Sequence, residues 1–284
     1  MRMPGRPALI VTIALLLFLP GSGVTTAIVR PPTPDPPLPL PTSMAALGDS
    51  ITTGYNACGR FEDCPERSWS TGTDQKVNSH YQRLLARTRE IEGHATNLAR
   101  SGAKVDDLER QASEAIELDP TYITVLIGAN DACTSSEEKM TSVTDFRTQL
   151  DNALAVLAAN LPRTRLLIAS IPDLLRLWEV EHRDRLAQLV WYFGSICQSM
   201  LGDARAVDDA AKARRARVRQ RVADFNQQLA EACAAYGSLC RFDNNAVFGH
   251  PFTAAEVSSW DAFHPSESGQ ALIAETTNLA GFQW

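Results

Sequence analysis

Four short apolar runs, each stopped by a turn signal and followed by a helical pattern, constrain this chain more than anything else in it. Met44–Leu47 breaks at Gly48, Ala95–Ala99 runs into Arg100-Ser101-Gly102, Thr121–Ile127 lies between Pro120 and Gly128, and Arg165–Ile171 stops at Pro172 and Asp173. Thr121–Ile127, TYITVLI, is the clearest, a β-branched run of the kind that strands buried on both faces show. Between the runs, Tyr81, Leu84 and Leu85 share one face of a helix over about 79–88. A second helix runs from Asp106 to about Leu118, and Phe146, Leu150, Leu154, Leu157 and Leu161 recur at spacings of three and four. Strands alternating with helices predict an α/β fold: a parallel sheet with helices on both faces. A short strand near Leu239–Phe242 closes the sheet, and a helix over about 268–279 ends the chain.

In such a sheet, ligands bind outside the carboxyl ends of the strands. Gly48-Asp49-Ser50 places a hydroxyl at one of those ends, although a Gly-Asp-Ser triplet by itself more often only caps a helix. Other turns answer to it. Thr121–Ile127 delivers Gly128-Ala129-Asn130-Asp131 to the same edge. Near the C-terminus, Trp260-Asp261-Ala262-Phe263-His264-Pro265 precedes the helix-capping Ser266-Glu267-Ser268. With Asp261 three residues before His264, one turn brings the carboxylate to Nδ1. That fixes the tautomer and leaves Nε2 free to take a proton from a serine.

The first 27 residues read as a signal peptide, with Arg2 and Arg6 as basic region, Ala8–Leu19 as apolar region and Thr25-Thr26-Ala27 as the cleavage point. Residues 28–42 carry prolines 31, 32, 34, 36, 37, 39 and 41 and read as an extended or disordered spacer. The folded domain is expected over 43–284. Within it, residues 174–235 are helical in pattern and rich in charge. There Leu186, Leu189, Val190, Trp191 and Phe193 form an apolar group, and 205–221 is dense in arginine. Ordinary core beside a solvated helix face is one reading of this segment, and a lid that meets an acyl chain is the other.

Export makes the cysteines at 58, 64, 133, 197, 233 and 240 legible as disulfides. Many pairings are possible in principle. Cys58 with Cys64 and Cys233 with Cys240 would each close a short loop, leaving Cys133 with Cys197. No C-x-x-C motif and no histidine at ligand spacing accompanies them, so neither metal nor cofactor is expected. A net charge of −6 argues against a nucleic-acid partner, whose phosphates need clustered basic residues. Contact with a membrane or micelle surface would be transient, local and apolar, and a monomer is expected.

The ordered blocks Gly48-Asp49-Ser50, Asn97 to Gly102, Gly128-Ala129-Asn130-Asp131 and Asp261-Ala262-Phe263-His264 resemble those of the SGNH (GDSL-type) serine hydrolases. The resemblance spans nearly the whole mature domain. It implies a flavodoxin-like three-layer α/β/α sandwich with Ser50 as nucleophile, His264 as base and Asp261 orienting it. The oxyanion hole would be shared by Gly102, Asn130 and the Ser50 amide. Ala99 stands where the family more often has glycine, which bears on the backbone placement of Gly102. Arg67-Ser68-Trp69-Ser70-Thr71-Gly72, with Cys133 close behind the third block, gives a looser resemblance to the phospholipase B-like branch.

Residue chemistry points the same way. Ester hydrolysis builds negative charge on a carbonyl oxygen, which needs pre-aimed N–H donors and no carboxylate facing it. Asp49 and Asp131 are therefore expected to be structural. The expected activity is hydrolysis of carboxylic esters through an acyl-serine, on a lipid or phospholipid acyl ester. A carbohydrate or cell-wall O-acetyl esterase, with Trp69 and Trp260 as sugar platforms, is the alternative. A catalytically silent binding domain is disfavoured by the four complete blocks.

Overall fold

The computed structural model describes residues 38–283. The expected signal peptide and residues 28–37 of the expected spacer lie outside the described residues. In chain order the elements are β1 (Met44–Gly48), α1 (Ser50–Thr53), α2 (His80–Leu85), β2 (Ala95–Asn97), α3 (Leu108–Ile116), β3 (Tyr122–Leu126), α4 (Ala129–Ala132) and α5 (Val143–Asn160). They continue with β4 (Arg165–Ile168), α6 (Leu174–Glu181), α7 (Arg185–Phe193), α8 (Gln198–Leu201), α9 (Asp209–Tyr236), β5 (Cys240–Phe242) and α10 (Glu267–Ala280).

The five strands form one parallel sheet in the order β2-β1-β3-β4-β5, the flavodoxin-like arrangement. Period-two alternation sorts the strand side chains to two faces. Ala45, Leu47, Ile123, Val125, Leu166 and Ile168 face α3, α5 and α9, where Phe146 of α5 stacks on Phe225 of α9 at 4.1 Å. Met44, Tyr122 and Leu167 face the other way, against Tyr81 and Leu84 of α2. Helix α10 joins that layer, with the Thr277 hydroxyl 2.8 Å from His80. Because the order reverses direction at β1, the chain leaves β1 and β3 on opposite sides and a crevice opens beyond their carboxyl ends.

Two boundaries differ from the sequence reading. Residues 39–42 belong to the folded unit: the Pro39 carbonyl accepts from Arg165, and Thr42 N–H donates to the Thr121 hydroxyl. The helical segment 174–235 is also not a single insertion. Helix α9 buries Val218, Val222, Phe225 and Leu229 and serves as the crossover between β4 and β5, so only α6 to α8 are added to the sheet scaffold. Its arginines are not simply solvated. Arg215 is buried over the Trp178 ring and donates to the carbonyls of Ala206 and Asp203, while Arg219 pairs with Asp173.

The six cysteines form three disulfides, Cys58–Cys64, Cys133–Cys197 and Cys233–Cys240.

Candidate active site

The turn after β1 is shaped by what glycine permits. Gly48 has φ +146°, and a Cβ there would lie 2.2 Å from the Leu126 carbonyl oxygen, so only glycine lets the strand end pass this close to β3. The Gln111 amide clamps the same residue, accepting from Gly48 N–H at 2.7 Å and donating to its carbonyl at 3.0 Å. Asp49 then caps α1 by accepting from Ile51 N–H, and Ser50 is the first residue of that helix. A first-turn N–H has no partner within its own helix, and this holds for the amide of Ser50.

The Asp261–His264 turn meets this serine from the far end of the chain. Ser50 Oγ lies 2.8 Å from His264 Nε2, and His264 Nδ1 lies 2.5 Å from Asp261 Oδ2. Asp261 also accepts from the backbone N–H groups of Phe263 and His264, both at 3.0 Å, and from Asn56 Nδ2 at 2.6 Å. Burial would raise this carboxyl, but the hydrogen bond and charge of His264 and the two backbone donors outweigh it, leaving it below the usual carboxylate value. An ionised carboxylate can only accept. Nδ1 of His264 therefore carries the proton, and Nε2 accepts from the serine hydroxyl. Ala262, at φ +52°, makes the turn tight enough for this contact.

Gly102 and Asn130 line one open cavity together with Ser50 and His264. Gly102 has φ +83° with nothing near its Cα where a side chain would stand. Asn130 Nδ2 donates to the Ala103 carbonyl at 2.9 Å, which fixes the orientation of the amide. A second, more enclosed and narrow cavity opens on the other side of Ser50, lined by Ile51, Leu174, Leu177, Val180, Phe252 and Val257. The carboxylates on its wall are engaged elsewhere, Asp173 with Leu175 N–H and Arg219, Glu256 with Thr253.

Asp49 and Asp131 lie beneath the site rather than facing it. Burial pushes the Asp49 carboxyl up to about 7, against the pull of its bond from Ile51 N–H, and its Oδ2 has no hydrogen-bond partner. Asp131 accepts from Val105 N–H at 3.0 Å and from the Thr141 hydroxyl at 2.7 Å, tying two turns together. Trp69 is fully buried, its Nε1 donating to the Thr52 hydroxyl, so it cannot be a sugar platform. Trp260 stays partly exposed, with Phe61 edge-on at 5.3 Å.

Three supporting groups escape a reading of the sequence. Asn56 reaches Asp261 from the loop after α1. In the Cys58–Cys64 loop, Asp63 accepts from both Thr53 and Ser101, steadying the turn that carries Gly102. Trp191 Nε1 donates to the Ala262 carbonyl at 3.1 Å and props the Asp261–His264 turn from α7. The sequence carries no advance signal for any of the three; Asn56 takes a positive φ, a conformation asparagine tolerates. Among the described residues the one grouping of metal-ligating atoms is Cys58, Cys64 and Glu66, and its two sulfurs are joined in a disulfide.

The family model for GDSL-like lipases and acylhydrolases matches residues 44–277. No curated protein matches the chain. Among solved structures, a catalytic mutant of an acetylxylan esterase from Geobacillus stearothermophilus superposes with a TM-score of 0.52 at 18% identity, over 85% of this chain and 95% of that one. An extracellular lipase from Streptomyces rimosus matches with a TM-score of 0.48 at 17% identity, over 84% and 99% of the two chains. At that identity the likeness to the acetylxylan esterase is one of fold.

Proposed function

The chain belongs to the GDSL-like lipase/acylhydrolase family and is a serine ester hydrolase, and from that premise we propose that it is a secreted enzyme cleaving lipid acyl esters, phospholipids included. The observation that carries the lipid reading is the apolar cavity beside Ser50, walled by Ile51, Leu174, Leu177, Val180 and Phe252. The wider cavity on the opposite side, rimmed by Tyr55, Phe61 and Ile196, suits an alcohol or head group. Secretion is supported by the Arg2/Arg6 leader and by the three disulfides, which persist in oxidising compartments.

In this proposal Ser50 Oγ attacks the ester carbonyl as its proton passes to His264 Nε2. The tetrahedral oxyanion is held by the N–H groups of Ser50 and Gly102 and the Asn130 amide, and Asp261 steadies the imidazolium without taking its proton. Collapse expels the alkoxide, which takes the proton from Nε2 and leaves an acyl-Ser50. Water then adds to the acyl carbon, giving its proton to His264. The second collapse releases the acid and returns that proton to Ser50.

A series of p-nitrophenyl esters tests the reading. Each methylene that enters an apolar wall contributes about 0.8 kcal/mol, so kcat/KM is expected to rise about fourfold per added methylene until the cavity is full. Leu177→Trp should move the optimum to shorter chains. Activity confined to acetyl esters would defeat the lipid reading and favour the O-acetyl esterase alternative, for which Trp260 and Phe61 remain as an aromatic rim.

A further inference from the structure

Helix α7 is apolar nearly all round, and a helix of that kind belongs in an interior or against a second apolar phase. Its inner side is accounted for: Ala187 and Trp191 are buried, with Trp191 holding the Ala262 carbonyl. Its outer side is not. Leu186 is 72% exposed, Leu189 52%, Tyr192 74% and Phe193 78%, and these four are neighbours on the helix surface. They are four of the ten large exposed apolar side chains of the described residues, and the only four that share one helix face, and a contiguous patch of this sort marks a docking surface.

Charge selects the occupant. Two clefts that share Gln188 and Arg205 lie beside the patch: one reaches Tyr192 and has Asp203 on its wall, and the other is lined by His182, Arg183, Arg185, Gln188, Arg205 and Val207 with no carboxylate. None of its three arginines forms an ion pair among the described residues, whereas Arg147, Arg217 and Arg219 elsewhere do. Asp184, between two of them in sequence, is turned toward the N–H groups of Leu186 and Ala187. Unpaired guanidinium groups beside aromatic and leucine side chains, in a chain of net charge −6, match phosphate groups lying over an acyl layer. A second copy of the chain fits poorly, because a two-fold contact would set this patch on itself and bring arginine against arginine.

The patch also continues to the active-site opening. Beyond Phe193 the chain passes through Gly194 and Ser195 to Ile196 and Cys197, both of which line the open cavity beside Ser50. We propose that the outer face of α7, with Arg183, Arg185 and Arg205 at its edge, is the surface by which this enzyme sits on an anionic lipid layer. Resting on the lipid reading above, this adds where the lipid is met. Because α7 holds the Asp261–His264 turn from its inner side, the same helix joins the lipid contact to the catalytic turn.

The test is co-sedimentation of the full chain, as Ser50→Ala so that no lipid is consumed, with vesicles of phosphatidylcholine alone or mixed with phosphatidylglycerol. Binding is expected, tighter to the mixed vesicles. Adding Leu186→Ser, Leu189→Ser and Phe193→Ser should weaken it by on the order of 100-fold. The set Arg183→Gln, Arg185→Gln and Arg205→Gln should weaken binding to anionic vesicles alone, by about fivefold per arginine at low salt. With Ser50 restored, both sets should hydrolyse a soluble short-chain ester at the wild-type rate. A serine set that lost this activity would have disturbed α7 itself, and the arginine set then decides. Unchanged vesicle binding by the substituted chains, no binding by the starting chain, or a dimer dissolved by the serine set in analytical ultracentrifugation would each overturn the proposal. Vesicle binding with hydrolysis of acetyl esters only would sink the lipid-substrate reading and leave this surface standing. Long-chain hydrolysis without vesicle binding would do the reverse.

Discussion

Ser50, His264 and Asp261 lie in one hydrogen-bonded line, and the proposed mechanism gives each atom in it a single role. The Asp261 carboxylate accepts four hydrogen bonds, so it holds His264 in place without competing for its proton. On the proposed mechanism, Ser50→Ala should lower kcat by on the order of 10⁶, to the level left by binding and the oxyanion donors. Asn130→Ala removes one of three donors and should cost about 10² to 10³, mainly in kcat. Steady-state kinetics on a soluble ester separates the two. Equal losses would mean that Asn130 does more than stabilise the oxyanion, and an unaffected Ser50→Ala would remove the acyl-serine altogether. Asn56→Ala should fall between wild type and Asn130→Ala, because His264 keeps Asp261 but Asp261 loses its side-chain tether.

At the scale of elements, the covalent links are placed where turns carry the site. Cys133 ends α4, which bears Asn130, and Cys197 precedes α8, so their disulfide closes a loop of 64 residues in sequence separation around the active-site opening. On chain-entropy grounds, removing it by Cys133→Ala with Cys197→Ala should cost about 4 kcal/mol, against about 2 kcal/mol for the short Cys58–Cys64 link. Urea unfolding of the two double variants measures this, and a larger loss from the short link would mean that strain or lost packing outweighs loop entropy. The elements legible from sequence were those with a local signature. The β-branched Thr121–Ile127 run, the glycines at strand ends and the three-residue spacing of Asp261 and His264 are all properties of short windows. Asn56, Gln111 and Trp191 were not legible because their partners lie 205, 63 and 71 residues away, and a polar or apolar type by itself does not say what it will meet. Helix α9 was misplaced for another reason: its arginine density masks the Val218, Val222, Phe225, Leu229 stripe that makes it a scaffold helix.

For the molecule as a whole, gathering strand ends at one edge concentrates buried carboxylates there, and folding stability must respond to pH. Asp49, Asp131 and Asp243 follow β1, β3 and β5, and burial raises all three carboxyls, Asp49 to about 7. Between the ordinary carboxyl value and about 7, native Asp49 keeps a proton that the unfolded chain has lost, so its effect is to lower stability as pH rises. His80 works the other way. It is buried between Tyr122 and Thr277, and desolvation lowers it from 6.5 to about 3. Below 6.5 the unfolded chain takes up a proton that native His80 refuses, so its effect is to lower stability as pH falls. Each effect is on the order of 4 kcal/mol across its span, and over about pH 4 to 6.5 the two oppose each other almost evenly. With Asp131 and Asp243 raised as well, the unfolding free energy should decline gently as pH rises above about 4 and decline further up to about 7, where His80 no longer offsets Asp49. Asp49→Asn should uncover His80 and make stability fall as the solution is acidified below 6.5. His80→Gln should uncover Asp49 and make it fall as the solution is made alkaline. Urea unfolding at pH 4.5, 6 and 7.5 decides the matter: curves for the two variants that slope the same way would show that these buried groups do not set the pH response.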